Sequence, residues 1–88
     1  MQVTPTGKFR RSLKRLSASD AEDTIAALEL FMRAPHAKPL NFEKVRSRKG
    51  YHTIRANYAI RILLREVGPQ QFEIVAVGNH DYIYENFF

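Results

Sequence analysis

The chain changes its hydrophobic period once, close to Phe42, and that single change limits it to one kind of architecture. Before it, apolar residues recur at helical spacing: Phe9, Leu13 and Leu16, then Ala21, Ile25, Leu28 and Met32. After it, Tyr51 to Ala56, Ala59 to Glu66 and Phe72 to Val77 are rich in β-branched and aromatic residues and read as strands. Helices followed by a strand meander indicate an α+β fold, with an N-terminal helix hairpin packed on one face of a small antiparallel β-sheet.

Local signals set the expected boundaries. The first helix runs from about Gly7 to Leu16, after a short strand at Gln2 to Thr4. Ser19 followed by Glu22 has the spacing of a capping box and is expected to start the second helix. Pro35 ends that helix by removing a donor and restricting Ala34. The gap from Leu16 to Ser19 is short enough for a hairpin. Pro35 to Phe42 reads as a loop, Glu43 to Val45 as a short strand, and Gly68-Pro69 as a turn between the last two strands.

A length of 88 residues, with neither repeats nor a low-complexity linker, fits one domain over residues 1–88. There is no cysteine, so disulfides and thiolate metal sites are excluded and packing must hold the fold. No apolar run approaches the roughly 20 residues of a membrane helix, and the start of the chain lacks a signal-peptide pattern. A cytoplasmic location without membrane contact is the expectation.

The net charge of +5 is unevenly spread. Lys8, Arg10, Arg11, Lys14 and Arg15 precede the first acid, and Lys44, Arg46, Arg48 and Lys49 form a second cluster. Such patches attract polyanions, nucleic acid above all, although a solvated basic surface would have the same composition. Alternation also sorts the strand arginines. Ile60, Ile62 and Leu64 point to one face, and Arg61, Leu63 and Arg65 to the other. An ordinary hairpin register would bring Arg55 onto the face of Arg61, where two guanidinium groups could either solvate the sheet or meet a phosphate.

The run Ile54-Arg55-Ala56-Asn57-Tyr58-Ala59-Ile60-Arg61-Ile62-Leu63-Leu64, with Val77-Gly78-Asn79-His80-Asp81 and then Tyr84, resembles the second half of RelE/ParE-superfamily toxins, most of all the RelE, HigB and YafQ branches. The resemblance implies the toxin of a type II toxin–antitoxin system that cleaves messenger RNA, on or off the ribosome, and so inhibits translation. In ribonuclease members the RNA 2′-hydroxyl attacks the adjacent phosphate, leaving a 2′,3′-cyclic phosphate and a 5′-hydroxyl. That chemistry requires a base, an acid and cations to stabilise the phosphorane, and no metal or cofactor.

By the same resemblance, Arg61 would hold the scissile phosphate with bidentate geometry and Arg55 would assist it. His80 matches the strand-end position of a catalytic histidine in YafQ-like members, and an imidazole titrates near neutrality. Tyr84 would stack on a base or aid proton transfer, with Tyr82 as a substitute if the register shifts. His52 is a second-rank acid–base candidate, because alternation puts it on the side of Ile54 and Ala56. Lys44, Arg46, Arg48 and Lys49 would contact RNA. His36, between Pro35 and Pro39, is expected to be an exposed loop residue. The histidines lack metal-ligand spacing, and nothing resembles a phosphate-binding glycine loop.

Two competing functions fit the same scaffold. One is a non-catalytic, ParE-like toxin that binds and poisons DNA gyrase. The other is an inactive basic module, since the chain lacks the lysine pair that some RelE proteins carry in the central strand. The resemblance also implies a cognate antitoxin, for which the outer face of the first helix and a free sheet edge are candidate docking sites. Phe87 and Phe88 would join that surface if they were not packed back on the domain.

Overall fold

The computed structural model describes residues 1–88. In chain order it contains β1 (Gln2–Pro5), α1 (Gly7–Lys14), α2 (Ala18–Arg33), a 3₁₀ turn (Lys38–Leu40), β2 (Glu43–Lys44), β3 (Tyr51–Arg55), β4 (Ile60–Gly68), β5 (Gln71–Asn79) and α3 (His80–Phe87). The five strands form one sheet in the order β1-β5-β4-β3-β2.

The fold is α+β, with two corrections to the expected layout. β2 through β5 pair antiparallel, but β1 runs parallel to β5, with Val3 opposite Phe72. The sheet is therefore mixed. The cause is the path: α1 and α2 carry the chain across the sheet to the far edge, and the meander then returns until its last strand meets the first. The second correction is α3, which covers the face opposite α1 and α2. Helices thus lie on both faces of the sheet. On one face Phe9, Leu28 and Phe31 pack over Ile54, Ile62, Leu64, Ile74 and Val77. On the other, Ile83 of α3 packs with Val45, Leu63 and Ala76.

Side chains finish what β1 leaves open along β5. Thr6 caps α1 by accepting from the Phe9 amide at 3.2 Å, while its hydroxyl donates to the Ile74 carbonyl at 2.8 Å. Past the end of β1, the buried Ser12 hydroxyl donates to the Phe9 carbonyl at 2.9 Å and accepts from the Val77 amide at 3.1 Å. Backbone groups of the β5 edge are thereby paired with α1 instead of facing a foreign strand.

α2 starts earlier than the capping-box spacing suggests. Its cap is Ser17, which accepts from the Asp20 amide at 3.1 Å, not Ser19. The buried stripe is Thr24, Ala27, Leu28 and Phe31, so Ile25 and Met32, expected in the core, are 46% and 47% exposed. Thr24 reads as polar in sequence, yet its hydroxyl returns to the Asp20 carbonyl at 2.8 Å and its methyl is free to pack.

Candidate active site

The site begins with hairpin register. β3 and β4 place Arg55 directly opposite Arg61, and Thr53 opposite Leu63. On its other side Arg61 faces Gly78 of β5, over which the Tyr82 ring packs. The turn joining β3 to β4 then fixes the arginine: Arg61 Nη1 donates to the carbonyls of Asn57 at 3.2 Å and Tyr58 at 3.1 Å.

The turn is itself anchored. Asn57 Oδ1 accepts from the Ala59 and Ile60 amides at 2.9 and 3.0 Å, and its Nδ2 donates to Asp20 and Asp23 of α2, each at 2.9 Å. The carboxamide thus ties the helix layer to the tip carrying Arg61. Burial, and then the like charge of Arg55, lower the pKa of Arg61 from its ordinary value, while Glu43, Tyr58 and Tyr84 act in the opposite direction. A guanidinium so placed stays cationic near neutral pH but is short of compensating charge, which favours an incoming anion.

α3 supplies the opposite wall. Asn79 caps it by accepting from the Tyr82 amide at 2.7 Å, which sets the direction of the first turn. His80 and Tyr84, one turn apart, stack with centroids 4.4 Å apart. His80 Nδ1 lies 3.6 Å from Asp81 Oδ1, an exposed pairing that leaves Nε2 available to a substrate.

Two adjoining clefts share Arg55, Arg61 and His80. One, about 440 Å³, opens toward Tyr58, Ala59, Asn79 and Asp81. The other, about 150 Å³, is lined also by Asn41, Glu43, Thr53 and Tyr84. Glu43 is the functional candidate missed in the sequence. It sits on β2 opposite Thr53, the outward residue two before Arg55, so the same parity argument that grouped the arginines would have found it. Asn41, in the left-handed conformation at φ 47°, donates its side-chain amide to Glu43 and steadies the carboxylate.

The remaining candidates fall elsewhere. His52 is buried on the opposite face, stacked on Phe42 at 4.8 Å, with Nε2 3.5 Å from Glu66 and no hydrogen-bond partner for Nδ1. Tyr82 turns toward Gly78 and Phe87, away from the His80–Tyr84 pair. His36 is exposed but packs edge-on to Phe42 at 5.4 Å. Lys44, Arg46 and Lys49 line a groove of about 940 Å³ with Tyr51, His52 and Glu66 at the other end of β3, and Arg48 projects over the Tyr51 and Phe88 rings. That groove is larger than the arginine clefts and carries the His52–Glu66 pair, but of the arginines only Arg46 lines it, so it has no pair of guanidiniums. Phe87 and Phe88 pack back on the sheet face, against Tyr82 and against Tyr51 and Tyr84 respectively. No helix is long and apolar enough to cross a membrane.

No family model matches the sequence, and no curated protein matches it either. Solved structures do match the fold. RelE in the RelB-RelE antitoxin-toxin complex from Methanococcus jannaschii is 19% identical at TM-score 0.76, over 97% of this chain and 99% of that one. YafQ from E. coli is 12% identical at TM-score 0.76, over 94% and 97%. A YoeB/ParE toxin from Agrobacterium tumefaciens is 21% identical at TM-score 0.73, over 91% and 99%.

Proposed function

From the premise that this chain has the RelE/ParE-superfamily toxin fold, we propose that it is the toxin of a type II toxin–antitoxin pair and acts as a metal-independent endoribonuclease on messenger RNA. The observation that carries the proposal is the meeting of Arg55, Arg61, Glu43, His80 and Tyr84 around adjoining clefts. A gyrase-docking surface needs the charge of such a cleft but not its acid–base groups.

The chemistry follows from the residue types. Arg61 and Arg55 hold the non-bridging phosphate oxygens and offset charge as the phosphorane forms. The Glu43 carboxylate takes the proton of the 2′-hydroxyl, whose oxygen bonds to phosphorus. The P–O5′ bond breaks, and protonated His80 delivers a proton to the departing 5′-oxygen, giving a 2′,3′-cyclic phosphate and a 5′-hydroxyl. Tyr84 presents its ring to the adjacent base. Lys44, Arg46, Arg48 and Lys49 extend the positive surface along the RNA. A cognate antitoxin would hold the toxin in check, on or off the ribosome.

The test is to induce the protein in cells and map messenger cleavage in parallel with translation, comparing wild type with folded His80→Ala, Arg61→Ala and Glu43→Gln. Each variant is expected to lose about 100-fold or more in cleavage, the usual contribution of a positioned acid, base or charge-stabilising group. Growth arrest with intact messenger RNA would move the assignment to gyrase.

A further inference from the structure

A row of rings leads out of the clefts and across the outer sheet face. His80 stacks on Tyr84, Tyr84 meets Phe88 at 5.4 Å, and Phe88 meets Tyr51 at 5.6 Å in perpendicular contact. The Arg48 guanidinium closes the row, 5.8 Å from the centre of Tyr51 and 5.6 Å from that of Phe88. Beneath it, Val45, Leu63, Ala76 and Ile83 are already buried. The outermost rings therefore form a second layer, and Phe88 stays 36% exposed.

We infer that Tyr51, Phe88 and Arg48 form a stacking subsite for an unpaired RNA base, separate from the base beside the scissile phosphate. This rests on the ribonuclease proposal and names the substrate class: a single strand that continues beyond the cleavage point toward the Arg48 end of the row. Three features support it. Tyr51 and Arg55 bound the same strand, so the subsite lies roughly 13 Å from the arginine cleft by strand rise, with Tyr84 between. Aromatic faces beside a cation suit a nucleobase with its phosphate: the rings take the base, and the guanidinium takes the phosphate or caps the stack. The subsite carries no paired amide or carboxylate aimed at a base edge. It reads a base by its stacking area, which favours purines over pyrimidines without selecting a sequence.

The chain has no tryptophan, so Phe88→Trp introduces a single indole reporter at the subsite. The probes are 2′-O-methyl RNA oligonucleotides, which lack the attacking hydroxyl, as a dinucleotide and as purine-rich and pyrimidine-rich hexanucleotides. The hexanucleotides are expected to quench the indole and the dinucleotide is not. In Phe88→Leu and in Tyr51→Leu, the latter keeping an apolar side chain against the buried cluster of Val45, Leu63, Ala76 and Ile83, the ratio of hexanucleotide to dinucleotide affinity should fall about tenfold or more, with melting temperature followed alongside. Equal losses at both lengths, or no loss at either, would overturn the subsite and leave the ribonuclease proposal standing. Failure of the wild-type protein to bind any probe, together with intact messenger RNA in induced cells, would overturn both.

Discussion

The backbone carbonyl of Asn57 accepts a hydrogen bond from Arg61 Nη1 at 3.2 Å, so the guanidinium is placed by the turn and not only by its own strand. The Asn57 side chain ties that turn to Asp20 and Asp23 of α2. Asn57→Ala is expected to cost about 1–3 kcal/mol and to lower single-turnover cleavage by about tenfold or more through misplacement of Arg61. Asn57→Asp should be worse in stability than Ala, because it sets a third carboxylate against two. Denaturant midpoints and single-turnover rates check both. An Asp variant as stable as wild type would show that the anchor is not electrostatic.

Arg55 and Arg61 oppose each other in free energy while serving one cleft. The Arg61 pKa is lowered, so the unfolded chain binds this proton more tightly than the folded one. Stability gained from Arg61 therefore rises only at strongly alkaline pH, between its folded and unfolded values, and near neutrality its charge is a constant burden. Arg55→Gln should relieve part of that burden: melting temperature rises at low salt, and the gain shrinks as salt screens the pair. RNA cleavage should fall in the same variant. Differential scanning calorimetry at two ionic strengths reads the sign.

Gly78 is required by a neighbour's ring. A Cβ there would lie 2.4 Å from Tyr82 Cδ2 and 3.0 Å from its Cγ. Gly78→Ala should push the first turn of α3 away from β5, costing about 1–3 kcal/mol and shifting His80 from the arginines. The double variant Gly78→Ala with Tyr82→Ala should recover cleavage toward the Tyr82→Ala level, which a mutant cycle would detect.

His52 tests the division between the faces. Its ring stacks on Phe42 and stands edge-on to Phe72 at 5.9 Å, while Nδ1 is buried without a partner. His52→Phe keeps the aromatic contacts and removes the orphaned Nδ1 together with the Nε2–Glu66 contact, whose half-exposed carboxylate makes it worth little, so stability should be unchanged or higher. RNA cleavage should persist; its loss would reinstate His52 as an acid–base residue.

Much of this arrangement is legible before any coordinates, and the parts that are not have identifiable causes. The Arg55–Arg61 pairing follows from alternation, because a one-residue slip of β3 against β4 would turn Ile54 outward while Ile62 and Leu64 kept their place in the core. The stripe of α2 is misjudged because the helix carries apolar side chains on more than one face, and Thr24 and Phe31 prevail over Ile25 and Met32 only when the sheet is present. β1 is too short to announce its partner, and nothing local distinguishes parallel from antiparallel pairing. α3 hides because its polar and aromatic residues have a single fully buried anchor, Ile83. Glu43 is passed over for a related reason: a charge on a two-residue strand looks like solvent-facing surface until Arg61 is placed beside it.

The Thr6 hydroxyl reaches the Ile74 carbonyl across 68 residues of chain. So long a closure is slow relative to the local β3–β4–β5 hairpins, and β1 has no strand to join until β5 is in place. During refolding the outer edge of β5 is consequently bare for a time, an adhesive margin in a molecule that later shows none there. β1 is thus among the last elements to take its seat, and in the interval before it does the β5 edge is open to a foreign strand.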